Sequence, residues 1–133
     1  MILSSDKPAW WNDQLRDECI LLAKRALPNE AFGLVCRLSP GNDPEIVTFP
    51  GFSTETQFDA EAQSVIRFAY RLLATNGTVL ASFHSHPNGR TSLSRRDCSL
   101  FDWARVHILL SRTNDGWTLM FHTSSSEDLH ISL

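Results

Sequence analysis

The sequence predicts an α+β domain in which a curved, mixed β-sheet is flanked by two longer helices. Segments with helical and strand periodicity follow one another as helix, hairpin, helix and then several strands, and this order suits helices packed on one sheet. The 133-residue chain has 42% hydrophobic and 20% charged residues, as an ordinary globular domain does. We therefore expect residues 1–133 to form one domain, with a short third helix inserted among the later strands.

Two segments show the apolar stripe of a helix that packs against a core. Residues 12–27 have apolar side chains at three- and four-residue spacing, with Asn12 or Asp13 as the expected N-cap. Residues 59–77 show the same pattern, with Asp59 as the expected N-cap and an Asn-Gly pair at the end. The buried face of this second helix is expected to consist of Ala62, Val65, Ile66, Ala69, Leu72 and Leu73.

Strands are predicted where short apolar or β-branched segments lie between turn residues. They span residues 31–38, 45–49, 78–84, 106–111, 117–121 and, at an edge, 127–133. The turn-forming residues 39–44 predict that the first two strands form a hairpin. The segment 106–111 is nearly all apolar, so we expect it to be a central strand of the sheet. The polar residues 52–58 predict an irregular surface loop that borders a substrate groove.

Charge, hydropathy and cysteine content exclude several classes of protein. The net charge is −3 without a strongly basic segment, so nucleic-acid binding has no electrostatic support. No apolar stretch is long enough to cross a membrane, and the N-terminus lacks the pattern of a signal peptide. Cys19, Cys36 and Cys98 are odd in number and have no paired spacing, which favours a reduced, cytoplasmic setting. These properties favour no particular oligomeric state.

The segment from His84 to Asp97 concentrates residues that are suited to metal chemistry. His84 and His86 alternate at the end of a predicted strand, so their side chains point to the same face. Pro87 ends the strand, and Ser94 and Asp97 lie three residues apart at the predicted start of the short helix. A loop between strand and helix can bring the Asp97 carboxylate back toward the two imidazoles.

Two imidazoles and one carboxylate are ligands that Zn2+ accepts, and three protein ligands leave a fourth position for water. Zinc lowers the pKa of water in such a position to about 7, which provides a nucleophile at neutral pH. Simpler interpretations exist. A His-x-His pair on a strand is more often structural, and Ser94 and Asp97 also suit the N-cap and first turn of a helix. The two interpretations of this helix start are compatible, because an N-cap can also place a ligand.

The spacing of these residues resembles a known signature. His84-Ser-His86-Pro, six further residues and then Ser94-Arg-Arg-Asp97 resemble the His-x-His-Pro-x6-Ser-x2-Asp motif of the JAMM/MPN+ (JAB1/Mov34) zinc metalloprotease family. The upstream Pro-Asn-Glu30-Ala-Phe-Gly is similar to the Pro-x-Glu-x-x-Gly setting of the family's glutamate. The chain has the compact size of the prokaryotic members of this family.

The resemblance covers residues 15–121 and implies a JAB/MPN-like fold with a defined catalytic site. Glu30 would act as general base toward a water molecule, and Ser94 would donate a hydrogen bond to the oxyanion of the tetrahedral intermediate. The short helix would carry the third ligand of one zinc ion. The zinc ligands implied by the resemblance are His84, His86 and Asp97.

The resemblance also implies a class of substrate. Family members cleave isopeptide or peptide bonds after the C-terminal tail of ubiquitin or a ubiquitin-like modifier, so the expected partner is a ubiquitin-like or sulfur-carrier β-grasp protein. A catalytically silent scaffold or assembly subunit is the alternative, because many family members keep the fold and lose the metal. A phage-tail-associated peptidase is a further alternative. A small-molecule zinc hydrolase is disfavoured, because the cytidine-deaminase pattern is absent.

Several other polar residues have simpler interpretations. Glu30, taken alone, would be a solvated loop acid. His107, His122 and His130 have no metal-ligand spacing and are expected to be structural or exposed. Ser85 lies between the two imidazole ligands on the opposite face of the strand, so it is expected to support the site rather than perform chemistry.

Overall fold

The computed structural model describes residues 7–94 and 102–124 of the chain. This part contains two α-helices, α1 at Asp13–Ala26 and α2 at Ala62–Thr75. It contains seven β-strands, which are β1 Phe32–Arg37, β2 Glu45–Val47, β3 Gly51–Ser53, β4 Phe58–Ala60, β5 Thr78–His86, β6 Val106–Thr113 and β7 Gly116–Thr123. Neither helix combines the length and the hydrophobicity that a bilayer-spanning segment requires.

Five of these strands form one mixed sheet in the order β2-β1-β5-β6-β7. β1 pairs antiparallel with both β2 and β5, β5 pairs parallel with β6, and β6 pairs antiparallel with β7. The predicted hairpin of the first two strands and the interior position of 106–111, which lies in β6, are confirmed. A parallel pair needs a crossover connection, and the chain between His86 and Val106 makes it. An α+β fold with two helices and a mixed sheet is therefore confirmed.

Two predicted elements fall wholly or mainly outside the described residues. The short helix predicted to start at Ser94 and to continue to Ala104 lies mainly in 95–101, outside the described residues, and its last predicted residues, 102–104, are not α-helical. The edge strand predicted at 127–133 also lies outside. No third α-helix is present in the described part of the chain, so the structure does not confirm the short helix.

Helix α1 begins where the sequence predicts. The side chain of Asn12 accepts a hydrogen bond from the backbone N–H of Leu15 at 2.8 Å, as an N-cap does. Asp13 lies in the first turn, while Lys24 and Arg25 lie in the last turn, where each charge is favourable to the helix dipole. The predicted start and polarity of this helix are thus confirmed.

The start of α2 differs from the prediction. Asp59, expected as the N-cap, lies in β4, which pairs with β3. The helix begins at Ala62, and Glu61 occupies the N-cap position without a side-chain hydrogen bond. Pairing of β3 with β4 satisfies several backbone groups at once, whereas a cap satisfies one, so the hairpin prevails. The same hairpin includes both ends of the segment 52–58, which was predicted to be irregular.

The buried face of α2 also differs from the prediction. Phe68 is buried and packs edge-on against Phe49, with ring centroids 5.5 Å apart. Ile66 and Leu73, which were expected in the core, are 49% and 75% exposed. Of the other residues expected on the buried face, Ala62 and Ala69 are also exposed, and Val65 and Leu72 are half-buried. The aromatic ring of Phe68 offers more apolar area than either aliphatic side chain, so the helix is oriented around it.

Both faces of the five-stranded sheet bury apolar side chains, and the described histidines all lie on one of them. One face, which we call the α1 face, packs against α1 and presents Val35, Ala81, Phe83, Ile108, Leu110 and Phe121. Alternate residues of a strand point to opposite faces. The opposite face therefore carries the four described histidines on β5, β6 and β7, and we call it the histidine face. These buried residues are His84, His86, His107 and His122.

Candidate metal centre

The end of β5 and the segment before β1 bring three polar side chains together. His84 and His86 lie on the histidine face, and Phe32 of β1 pairs with His84. Glu30 is 4%, His84 2% and His86 1% exposed. Their ligand atoms lie within 4.8 Å of one another. The structure thus places the predicted general base beside both predicted imidazole ligands.

The backbone around Glu30 is held from two sides. Its N–H donates to the carbonyl of Thr54 at 2.7 Å, and its carbonyl accepts from the Ser53 hydroxyl at 2.6 Å. The N–H of Ala31 donates to the Ser85 hydroxyl at 2.8 Å, and the carbonyl of Ala31 accepts from the N–H of Ser85 at 3.1 Å. Ser85 therefore supports the site from the α1 face of β5, as its place in the sequence indicates.

A glycine permits the close packing between β1 and β5. Gly33 pairs with Phe83, whose ring occupies the space that a Cβ at Gly33 would need. A side chain at this position would displace either the ring or β1. Because Glu30 lies three residues upstream on the same chain segment, it would move with β1.

The two imidazoles converge on one point. The Nε2 atoms of His84 and His86 are 2.9 Å apart, and the ring planes are inclined at 80°. Two nitrogens bound to one tetrahedral zinc ion at about 2.05 Å are about 3.3 Å apart, so an opening of roughly 0.4 Å would admit the ion. The donor set of two neutral imidazoles and a nearby carboxylate fits such an ion.

The outer nitrogen of His86 has a defined partner. Its Nδ1 lies 3.1 Å from the carbonyl oxygen of Arg90, which also accepts a hydrogen bond from the Ser111 hydroxyl at 2.6 Å. A carbonyl oxygen can only accept, so Nδ1 of His86 carries the hydrogen. The Nε2 lone pair of His86 is thereby directed into the site, as metal ligation requires.

His107 is the residue that the sequence interpretation missed. It is fully buried, as a structural histidine would be, but its Nε2 lies 2.5 Å from Nδ1 of His84. Its own Nδ1 lies 2.5 Å from the hydroxyl of Ser82. No spacing motif links His107 to the site, because the contact arises from the parallel register in which Ser82 faces His107.

The remaining predicted site residues lie at the boundary of the described chain. Ser94 is half-buried and ends the segment 7–94. Asp97 falls in 95–101, outside the described residues, as Cys98 does. The oxyanion role of Ser94 and the ligand role of Asp97 therefore stay predictions. His130 is also outside.

His122 lies beside this group, opposite His107 in the register of β6 and β7. Its Nε2 is buried and has no hydrogen-bond partner in the part of the chain that the structure describes. Burial lowers the pKa of His122 below its usual value of 6.5, and its interactions with the nearby imidazoles of His84 and His86 act in the same direction. A neutral imidazole is therefore favoured at this position.

The two described cysteines are not candidate ligands. Burial raises the pKa of both Cys19 and Cys36 to about 12, so both thiols stay protonated at neutral pH. A thiolate, rather than a thiol, binds metal. Both residues fill the core as small hydrophobic side chains.

Comparison with known proteins agrees with this geometry. The family model described as prokaryotic homologs of the JAB domain matches residues 12–123. No curated protein sequence matches the chain significantly.

Two solved structures share the fold. The solution structure of DSY2949 from Desulfitobacterium hafniense has a TM-score of 0.65 at 18% identity, covering 87% of this chain and 84% of that chain. The crystal structure of AF2198, a JAB1/MPN domain protein from Archaeoglobus fulgidus, has a TM-score of 0.52 at 20% identity, covering 84% and 90%. Since the family model spans most of the sequence, the chain belongs to the prokaryotic JAB-domain family.

Proposed function

We propose that this chain is a zinc-dependent peptidase or isopeptidase. It hydrolyses the amide bond after the C-terminal tail of a ubiquitin-like or sulfur-carrier β-grasp protein. The supporting observation is the buried group of Glu30, His84 and His86 with converging ligand atoms. Two imidazoles with converging nitrogens suit a divalent cation, and a carboxylate beside them suits the activation of a water molecule held by that cation.

Each residue has a defined role in this proposal. His84, His86 and Asp97 hold the zinc ion. When bound, the ion supplies Lewis acidity and lowers the pKa of water to about 7. Glu30 accepts a proton from the attacking water and delivers it to the leaving amine. The Ser94 hydroxyl donates a hydrogen bond to the carbonyl oxygen as negative charge develops there.

The substrate tail has a suitable surface beside Glu30. A hollow of about 370 Å³ lies there, and aromatic rings of Phe32, Phe49 and Phe58 contribute to its lining. Its lining includes Glu30 but neither His84 nor His86. The hollow is therefore suited to bind apolar residues of the substrate next to the scissile bond, while the scissile bond itself would lie at the two histidines.

The Glu30→Gln variant separates the two roles that the Glu30 carboxylate could have near an ion. A general base can be lost without loss of the metal, whereas a ligand cannot. We expect the variant to keep its zinc and to lose cleavage, because glutamine cannot accept the proton. Wild-type turnover would remove Glu30 from the mechanism, and loss of zinc would make it a ligand.

The direct test uses fusions of candidate proteins. The wild-type chain is incubated with ubiquitin-like and sulfur-carrier fusions, with phage tail proteins as a further arm, and products are measured by mass spectrometry. We expect a cut after the last residue of a β-grasp protein, and inhibition by 1,10-phenanthroline. A cut only in the tail proteins would favour the phage-associated alternative. A chain that binds no zinc and cleaves none of them would favour the silent assembly subunit.

A further inference from the structure

We propose that His107 is a positioning residue of the metal centre. It accepts the Nδ1–H of His84 and so keeps the Nε2 lone pair of His84 directed at the ion. This inference rests on the metal site of the proposed function, and it is independent of which bond the protein cleaves.

The parallel register of β5 and β6 builds the contact. Ser82 faces His107 in this register, and His84 lies two residues further along the same face of β5. The rings of His107 and His84 meet edge to edge through these nitrogens, with centroids 4.7 Å apart and planes inclined at 37°. The Ser82 Oγ, both nitrogens of His107 and Nδ1 of His84 thus form a continuous buried chain of hydrogen bonds.

Hydrogen-bond counting fixes the direction of this chain when an ion is bound. A neutral imidazole has one N–H and one lone pair. If Nε2 of His84 binds an ion, its hydrogen is on Nδ1 and is donated to Nε2 of His107. The hydrogen of His107 is then on Nδ1 and is donated to Ser82, whose hydroxyl oxygen can accept it. Each member of the chain is satisfied by its neighbour.

The same residues are also satisfied in the opposite direction when no ion is bound. Because His86 donates Nδ1–H to Arg90, the short Nε2–Nε2 contact with His84 requires a hydrogen on Nε2 of His84. Nδ1 of His84 then accepts from Nε2–H of His107, and Nδ1 of His107 accepts from the Ser82 hydroxyl. Ion binding reverses the chain. In effect the ring hydrogen of His84 and that of His107 each exchange from one nitrogen to the other, with solvent water as acceptor and source of the protons, so the number of protons on the rings is unchanged.

The position of each ring hydrogen can be measured in the wild-type protein. Long-range 15N–1H NMR spectra of histidine-labelled protein distinguish Nδ1–H from Nε2–H. With zinc bound, we expect Nδ1–H on His84, His86 and His107. Without zinc, we expect Nε2–H on His84 and His107 and Nδ1–H on His86. A hydrogen on Nε2 of His107 in the zinc-loaded protein would overturn the proposal.

Substitution of His107 tests its effect on the affinity for zinc, measured by competition with a chromophoric chelator. His107→Leu removes the acceptor, and loss of such an outer partner costs roughly 10- to 100-fold in affinity. His107→Gln should recover most of that loss, because its amide oxygen can occupy the place of Nε2. His122→Leu, the matched control on the neighbouring strand, should leave the affinity unchanged.

The outcomes separate this inference from the proposed function. Unchanged affinity in His107→Leu, or an equal loss in His122→Leu, would overturn the role of His107. A wild-type chain that binds no zinc would overturn both proposals. Zinc binding with the expected ring hydrogens but no peptide cleavage would overturn only the peptidase. The wild-type NMR measurement remains decisive even if His107→Leu does not fold.

Discussion

The α1 face and the histidine face of the sheet are built from the same strands and do different things. On β5, Phe83 points into the α1 core, while its neighbour His84 points into the candidate metal centre. On β6, Ile108 joins the α1 core, while its neighbour His107 contacts His84. Residues that are adjacent in sequence therefore contribute to the α1 core on one face and to the candidate metal centre on the other.

The comparison shows why the imidazoles can be held so close together. The α1 face buries apolar side chains that need no partner, so its packing stabilises the strands. The histidine face also has an apolar core, in which Phe32 and Leu34 pack near Phe68, but at β5 and β6 it buries polar side chains, which cost free energy unless they are hydrogen-bonded. Apolar packing on both faces offsets that cost, and the Nε2 atoms of His84 and His86 lie 2.9 Å apart. Variants on the two faces should therefore change different measurable quantities.

The largest effect is expected for loss of a metal ligand on the histidine face. His86→Ala and Asp97→Ala should each lower zinc affinity by more than about 100-fold, since even an outer partner of a ligand contributes roughly 10- to 100-fold. Elemental analysis after dialysis measures the zinc that is retained. Phe83→Leu, on the α1 face, is the control and should keep its zinc. Wild-type stoichiometry in Asp97→Ala would contradict the proposed ligand set.

The next largest effect is expected on the α1 face. Phe83→Ala removes a fully buried ring and should lower the free energy of unfolding by about 3–5 kcal/mol. Urea denaturation monitored by circular dichroism measures it, and Phe52→Ala, at an exposed ring, should change it by less than about 0.5 kcal/mol. If Phe83→Ala were as stable as the wild type, the packing of Phe83 on the α1 face would not stabilise the folded protein.

A smaller effect is expected where the two faces are coupled. Gly33→Ala places a Cβ against the Phe83 ring and should cost about 1–3 kcal/mol through overpacking. The same substitution should cost less in a Phe83→Leu background, because the shorter side chain leaves room. Unfolding free energies of the four proteins form a double-mutant cycle, and purely additive effects would show that ring and glycine are not in contact.

The smallest effect is a dependence of stability on pH. The unfolded chain binds a proton at His122 near pH 6.5, whereas burial lowers the pKa of this residue in the folded protein. Folding is therefore favoured above the unfolded value, and this contribution is lost as the pH falls through the folded value. The fall in unfolding free energy on acidification should be smaller in His122→Leu than in the wild type. Parallel curves for the two proteins would contradict the shift.

Local sequence was sufficient for some features because short-range rules govern them. Alternation along a strand places His84 and His86 on one face, and a side-chain cap places the start of α1 at Asn12. The start and orientation of α2 could not be obtained in this way. The pairing of β4 with β3 displaced the expected cap, and the Phe68 ring displaced Ile66 from the core. Both outcomes depend on partners that are distant in sequence or on competition for the same buried space.

By itself the sequence determined the helix–hairpin–helix–strand order, the paired histidines and the family to which the chain belongs. Those properties follow from the periodicity of side chains and from a motif of fixed spacing. Only the tertiary structure decided that Glu30 lies beside both imidazoles and that His107 contacts His84. These contacts join residues of different strands, so they depend on strand order and register, which are set by the packing of the whole sheet.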